Sequence, residues 1–153
     1  MCGRNSIRSP MAAALVEGFF PKAFYLASAG ILPGDRDPFV DIVLKEVALD
    51  LGPHRPRGLD DLHDLNFDLV VTLSPEAHHY AMELTRTEAL EVEYWPTMDP
   101  AANLTETFST REQILDGYRD LRDLLAHRIR DRFAPEGPRH SRLLKVHRKP
   151  QMG

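Results

Sequence analysis

The sequence contains a single cysteine among 153 residues, so no disulfide can form within the chain. No apolar run approaches the roughly 20 residues that a membrane-spanning helix needs. No basic segment followed by an apolar one resembles a signal peptide. Basic residues are not in excess, since 19 Lys and Arg face 23 Asp and Glu and leave a net charge of -4. These absences predict a cytoplasmic protein with neither nucleic acid nor membrane as a partner.

The remaining composition, 42% hydrophobic and 27% charged, is typical of one globular domain that can bury a core without disulfides or metals. Three β-like runs are predicted as strands: residues 23–28 (AFYLAS), 67–73 (FDLVVTL) and 92–95 (VEYW). Residues 134–153 are basic and lack periodicity, and they are predicted to form a disordered tail after a domain of residues 1–133.

Helix starts are marked by a capping residue followed by proline. The pairs are Ser9-Pro10, Asp37-Pro38 and Ser74-Pro75. The second helix is predicted to end near Leu51, where Gly52 supplies a stop. A last helix is predicted for residues 110–133, with Thr110 and Gln113 at capping-box spacing and an apolar stripe of Ile114, Tyr118, Leu121, Leu125 and Ile129. Alternating strands and helices predict a small α/β doubly wound parallel sheet of flavodoxin-like order, with helices on both faces.

The cysteine stands in the stretch CGRNSIRSP, directly before the first predicted helix. A thiol acts as a nucleophile only when ionised, and an ordinary thiol is about 3% ionised at pH 7. A loop with Gly3, Asn5 and Ser6 can turn backbone N–H groups inward, and the helix N-terminus adds its positive end. The same cradle suits a tetrahedral oxyanion, which Arg8 can bind through two N–H groups at once.

Two residues of this stretch carry alternative interpretations. The Ser9 hydroxyl either caps the first helix or bonds the sulfur and stabilises it as a leaving group. Asn5 is predicted to favour a left-handed turn rather than to contact a ligand.

The seven histidines show no paired ligand spacing beyond His78-His79, which is predicted to be a solvated helix face. No metal or other cofactor is predicted.

The whole string CGRNSIRSP resembles the phosphate-binding loop of the low-molecular-weight protein tyrosine phosphatases and the related arsenate reductases. The resemblance continues down the chain through SAG at residues 28–30, Asp37-Pro38, HRPR at residues 54–57, FDLVV at residues 67–71, and Asp99-Pro100. It implies Cys2 as nucleophile, Arg8 as oxyanion ligand, and Asp99 as the acid and then the base. It also implies a phosphate-binding loop of Gly3, Arg4, Asn5, Ser6, Ile7, Arg8 and Ser9.

The function implied is hydrolysis of phosphomonoesters, protein phosphotyrosine among them, through a phosphocysteine intermediate. The alternative is an arsenate reductase, which would depend on an external small-molecule thiol because the chain has no second cysteine. A third alternative is an inactive anion-binding protein.

Two departures from the family bear on these alternatives. The family's cysteine follows a buried central strand, whereas here only Met1 precedes Cys2. We expect a gap about one strand wide in the sheet, and either a natural start upstream or a truncated form with little activity. Ala101 and Ala102 also stand where the family's tyrosine phosphatases commonly carry aromatic residues, which weakens the expectation of phosphotyrosine preference.

Overall fold

The described part of the chain has four α-helices and two short strands. The computed structural model describes residues 1–102 and 110–134. Its elements, in chain order, are α1 (Arg8–Phe19), α2 (Pro38–Lys45), a 3-10 turn (Leu59–Asp61), β1 (Leu69–Thr72), α3 (Pro75–Leu84), β2 (Glu91–Tyr94) and α4 (Arg111–Phe133). The two strands pair in parallel, with Leu69 opposite Glu91 and Thr72 opposite Tyr94. The predicted α/β architecture with a parallel sheet is confirmed, whereas all but the first residue of the predicted tail lies outside the described residues.

Three helix starts are confirmed by their caps. The Asp37 carboxylate accepts a hydrogen bond from the Phe39 amide at the start of α2. The Ser74 hydroxyl accepts one from the Ala77 amide at the start of α3. At the start of α4 the Thr110 and Gln113 side chains each bond the other's backbone amide, which completes the predicted capping box.

Two helix ends differ from prediction. Helix α1 begins at Arg8 rather than Pro10 and has no side-chain cap, because the Ser9 hydroxyl bonds other groups. Helix α2 ends at Lys45 rather than near Leu51. Ala48 has a φ of 58°, and this left-handed conformation cannot continue an α-helix.

The prediction of a strand over residues 23–28 is wrong, because that segment has no strand beside it to complete a ladder. Pairing begins only at its end, where the Cys2 amide donates to the Ala29 carbonyl at 3.2 Å. Isolated parallel bridges then join Cys2 to Gly30 and Gly30 to Gly58. Regular strand structure needs an unbroken row of hydrogen-bonded partners, and these isolated bridges do not form one.

Met1 and Cys2 lie between residues 23–29 on one side and β1 on the other. The Met1 amino group donates to the Val71 carbonyl at 2.7 Å, and the Leu73 amide donates to the Met1 carbonyl at 2.9 Å. Burial along β1 follows this contact, since Thr72 is buried whereas Leu69, Val70 and Val71 are partly exposed. Met1 therefore pairs with the C-terminal end of β1, next to the start of the cysteine loop.

The hydrophobic core lies between α4 and the helices α1 and α2. Its fully buried side chains include Met11, Leu15, Val40, Leu44, Tyr118, Leu125 and Ile129. Tyr118 crosses the core and donates its hydroxyl to Asp37 at 2.7 Å, which ties α4 to the cap of α2. Burial and the adjacent carboxylate raise the pKa of this phenol well above its ordinary value. The core thus fixes α1, the helix that follows the cysteine loop.

One histidine departs from the predicted solvated helix face. His79 is exposed, but His78 is half-buried, with Nδ1 3.1 Å from the Thr72 hydroxyl and its ring stacked on Tyr94 at 4.5 Å. Across residues 1–102 and 110–134, His, Cys, Asp and Glu side chains form no group suited to a metal ion. None of the helices described is long and apolar enough to cross a membrane.

Glu46 joins α2 to α4 through two arginines. Its carboxylate lies 2.7 Å from Nη2 of Arg119 and 2.9 Å from Nη1 of Arg122. The hydrogen bonds from Arg119 lower the pKa of Glu46 from an ordinary 4.5 to about 2. Because the folded-state pKa lies below the unfolded one, the stabilisation is complete above pH 4.5 and is lost as pH falls toward 2.

We expect Glu46→Gln to lower the free energy of unfolding at neutral pH, with the difference from wild type shrinking as pH falls below about 4.5. Urea denaturation from pH 3 to 7 measures it. The control is Glu83→Gln, because Glu83 pairs with Arg86 in an exposed contact on α3. A difference in the free energy of unfolding between Glu46→Gln and wild type that stays constant over this pH range would contradict the ion-pair assignment.

Candidate active site

The loop between Cys2 and α1 presents a row of unused backbone donors. Among the described residues, none of the seven amide N–H groups of residues 3–9 donates to a protein acceptor. The loop's carbonyls are engaged instead: Gly3 accepts from the Ile31 and Leu32 amides, and Arg4 accepts from the Gly34 amide at 2.9 Å. Carbonyls tied outward and amides left without protein acceptors are the arrangement of an anion-binding nest at a helix N-terminus.

Cys2 opens this loop with its sulfur held by a serine. Cys2 is 2% exposed, and its Sγ lies 3.0 Å from the Ser9 Oγ. Ser9 Oγ also accepts a hydrogen bond from Asn5 Nδ2 at 2.9 Å, so its own proton can point to the sulfur. Of the two alternatives for Ser9, the structure has the sulfur contact and not the helix cap.

Asn5 holds the loop in shape from inside. It is fully buried with a φ of 55°, the left-handed conformation that asparagine tolerates. Its Nδ2 also donates to the Ser28 hydroxyl, its Oδ1 accepts from the Arg57 amide at 3.0 Å, and its carbonyl lies 3.0 Å from His54 Nε2. Since a carbonyl only accepts, His54 must be protonated at Nε2.

Arg8 connects the loop to the segment after β2. Its side chain is 14% exposed, with Nη1 donating to the Thr97 carbonyl at 2.9 Å and Nη2 lying 3.9 Å from Asp99 Oδ2. Asp99 is partly exposed, and its Oδ1 accepts from the Ala101 amide at 2.8 Å, which fixes the carboxylate. The structure therefore places the predicted arginine and the predicted acid side by side at one loop.

Three contacts of the site have no counterpart in the sequence-based prediction of its residues. Ser28 and His54 support Asn5, and Thr97 holds the guanidinium of Arg8. All three lie more than 20 positions from their partners, so spacing along the chain gives no signal for them. The SAG and HRPR stretches named for the resemblance contain Ser28 and His54, but the contacts become visible only in the fold.

A comparison with protein-family models shows which family the chain belongs to. Residues 1–134 match the family model described as low molecular weight phosphotyrosine protein phosphatase. The chain belongs to this family, whose members are phosphatase-type enzymes. A comparison with curated proteins gave no match at a significant level.

Solved structures share the fold. An arginine phosphatase, YwlE, from Geobacillus stearothermophilus aligns with a TM-score of 0.67 and 24% identity over 97% of this chain and 95% of its own. A protein tyrosine phosphatase aligns at 0.64 and 22%, covering 89% and 95%. An arsenate reductase in the phosphate binding state aligns at 0.63 and 20%, covering 85% and 90%. At these identities the three structures establish the fold.

Gly30 allows the backbone of residues 3–5 in the cysteine loop to pack closely against it. A Cβ on Gly30 would stand 2.7 Å from the Asn5 amide nitrogen and 2.8 Å from the Gly3 carbonyl oxygen. Both neighbours are backbone, so the loop would have to shift. We expect Gly30→Ala to lower the free energy of unfolding by about 1–3 kcal/mol, measured by urea denaturation.

The matched control for that substitution is Gly58→Ala. Gly58 bridges Gly30 directly, but a Cβ there meets its nearest atom, the Ile31 carbonyl oxygen, at an ordinary 3.5 Å. The free energy of unfolding of the Gly58→Ala variant should differ from wild type by less than about 0.5 kcal/mol or rise slightly. Equal losses in the two variants would show that the approach at Gly30 is not the constraint.

Proposed function

We propose that the protein is a phosphomonoesterase that works through a phosphocysteine on Cys2. The observation that carries the proposal is the run of seven loop amides, in residues 3–9, that have no acceptor among the described residues and that follow a buried sulfur contacted by Ser9. An anion of three equatorial oxygens needs about this many inward donors, and backbone N–H groups supply them without titrating. Membership of the phosphatase family supports the same assignment.

In the first step the Cys2 thiolate attacks phosphorus and an S–P bond forms. The bond from phosphorus to the leaving oxygen breaks, and that oxygen takes a proton from the Asp99 carboxyl group. Arg8 and the loop amides bind the equatorial oxygens, where charge is greatest in the transition state. Arg8 keeps Nη2 and Nε for this contact, since its bond to the Thr97 carbonyl uses Nη1.

In the second step a water molecule attacks phosphorus and gives a proton to the Asp99 carboxylate. The S–P bond breaks, inorganic phosphate leaves, and the electron pair returns to sulfur as a thiolate. As the S–P bond breaks, the Ser9 hydroxyl donates a hydrogen bond to the sulfur, and this stabilises the departing thiolate. Because Asn5 already donates to the Ser9 oxygen, this hydroxyl needs little reorientation during the step.

Aryl phosphates suit the surroundings of this loop better than small alkyl esters. Leu32, whose amide bonds Gly3, is 74% exposed, and Met98, next to Asp99, is 79% exposed. Exposed apolar side chains beside a site can cover an apolar leaving group. The class proposed is therefore phosphate on an aromatic hydroxyl, protein phosphotyrosine included.

Arsenate reduction is the second candidate function, and it would require a thiol from outside the chain. Cys2 is the only cysteine, so a Cys2–arsenate adduct could be resolved only by an external small-molecule thiol. Arsenite release from arsenate with glutathione, at a rate above phosphate release from p-nitrophenyl phosphate, would favour the reductase. Binding of phosphate without either turnover would favour an inactive anion-binding protein.

Cys2→Ser should reduce p-nitrophenyl phosphate hydrolysis by about 10⁴-fold, because an alcohol at this position lacks the nucleophilicity of a thiolate. Inorganic phosphate should still bind, because the amides and Arg8 remain. Steady-state kinetics and phosphate titration calorimetry measure the two effects. Product formed by the variant at the wild-type rate would exclude Cys2 as nucleophile.

Asp99→Asn should lower kcat most for substrates whose leaving oxygen must be protonated as it departs. We expect about 10²–10⁴-fold loss of kcat for phenyl phosphate and a much smaller loss for p-nitrophenyl phosphate, whose leaving group departs as an anion. The control is Asp120→Asn, an exposed carboxylate on α4. The same loss on both substrates would contradict Asp99 as the acid.

A further inference from the structure

The segment between β2 and Asp99 carries two parts of the site at once. The Thr97 carbonyl accepts a hydrogen bond from Arg8 Nη1 at 2.9 Å. Asp99 follows two residues later, and its Oδ2 lies 3.9 Å from Arg8 Nη2. Thr97 is buried, whereas Met98 is exposed on the way to Asp99. Thr97 is therefore the last buried point of the chain before the acid, and its position affects both the guanidinium and the carboxylate.

The backbone of this segment is tied on one side to the end of β1. The Trp95 amide donates to the Thr72 carbonyl at 2.8 Å, and the Thr97 amide donates to the Leu73 carbonyl at 3.1 Å. The Thr97 hydroxyl donates to the Trp95 carbonyl at 2.7 Å. These bonds leave the Pro96 carbonyl and the lone pairs of the Thr97 hydroxyl open to a donor from the other side.

Arg128 of α4 is that donor. Its Nη1 donates to the Pro96 carbonyl and to the Thr97 hydroxyl, each at 3.0 Å. The hydroxyl can accept this bond because its own proton is used on Trp95. Hydrogen bonds from a charged donor are stronger than those between neutral groups. The Arg128 guanidinium therefore fixes the side of the segment that the sheet does not hold.

The base of Arg128 is part of the rigid core. Arg128 is half-buried, and its helical neighbours Leu125 and Ile129 are fully buried. A side chain that starts from such a helix holds its guanidinium at a defined place, and functional groups keep their geometry best when rigid elements support them. The contact thus connects the packed core of α4 to the segment that carries Thr97 and Asp99.

Loss of the Arg128 contact would act on Arg8 first. The Thr97 carbonyl would no longer be held from both sides, and Arg8 Nη1 would lose a fixed acceptor. Asp99 lies close enough to offer the guanidinium another partner. An Arg8 that turns to Asp99 presents fewer N–H groups to an oxyanion, and it also moves the carboxyl group that must reach the leaving oxygen.

We propose that Arg128 is a positioning residue of the active site, acting through Pro96 and Thr97. It keeps the Arg8 guanidinium directed at the oxyanion loop and the Asp99 carboxyl group at the leaving oxygen. The part that concerns Asp99 rests on the proposed phosphatase function. The part that concerns Arg8 applies to any bound oxyanion, so phosphate binding tests it without turnover.

Arg128→Met removes the charged donor and keeps an apolar stem of similar reach. Inorganic phosphate, titrated calorimetrically, should bind about tenfold more weakly to this variant. The kcat for p-nitrophenyl phosphate should fall about tenfold, and that for phenyl phosphate about 10²-fold, because only the second leaving group needs the acid in place. Thermal denaturation of the variant shows whether it is folded at the assay temperature.

Two further substitutions on α4 are the controls. Arg130→Met makes the same change of charge on the same helix, but the Arg130 guanidinium lies over the Phe19 ring at 4.1 Å. Its phosphate affinity and both kcat values should stay within about twofold of wild type. Arg128→Lys should recover phosphate affinity to within about threefold of wild type, because both bonds come from one nitrogen and an ammonium can donate both.

A second variant tests the route from the opposite side. Thr97→Val removes the hydroxyl that Arg128 contacts and keeps the carbonyl that accepts from Arg8. If Arg128 acts through Thr97, the double variant should lose about as much phosphate affinity as Arg128→Met alone. Losses that multiply would overturn this route, and the cycle remains informative if Arg128→Met lowers the stability of the fold.

The remaining outcomes separate this proposal from the phosphatase assignment. Phosphate affinity and kcat of Arg128→Met equal to those of Arg130→Met would overturn the role of Arg128 and leave the activity intact. Equal losses on the two substrates would overturn the part that concerns Asp99. Wild-type protein that binds phosphate but hydrolyses neither substrate would contradict the phosphatase function, and the phosphate titrations would still decide whether Arg128 positions Arg8.

Discussion

The site depends on the buried amide of Asn5. This side chain bonds Ser9 and Ser28 through Nδ2 and the Arg57 backbone through Oδ1, while its own backbone takes a left-handed φ of 55°. The first bond orients the Ser9 hydroxyl toward sulfur, and the other two fasten the loop to the segments beside it. Left-handed backbone at Asn5 is what turns the chain back on itself, so that successive amides can face one centre.

Most of the secondary structure could be predicted because its signals are local. A cap and its proline lie within a few residues of each other, and the three starts at Asp37, Ser74 and Thr110 depend on nothing else. A strand is different, since its regularity comes from a partner distant in sequence. Residues 23–28 have β-forming side chains, but no described strand pairs with them, so the segment stays irregular until Ala29.

The residues of the site also fall into two groups, those that local sequence places and those that only the fold brings together. Cys2, Ser9 and the amides between them belong to one continuous stretch, so their shared centre follows from a loop that ends in a helix. Asp99 was placed only by resemblance to the family, because a single Asp-Pro has no spacing that ties it to Arg8. The contacts from His54 and Thr97 reach across the fold, and packing alone determines them.

The Cys2 loop is held from both of its ends. After the loop, α1 packs into the core through Met11, Leu15 and Val16. Before it, the Cys2 amide bonds the Ala29 carbonyl, and Met1 bonds the backbone of β1. Backbone donors bind an anion well only when they are held in place before it arrives, so the packing of α1 and the pairing beside Cys2 both contribute to the geometry of the site.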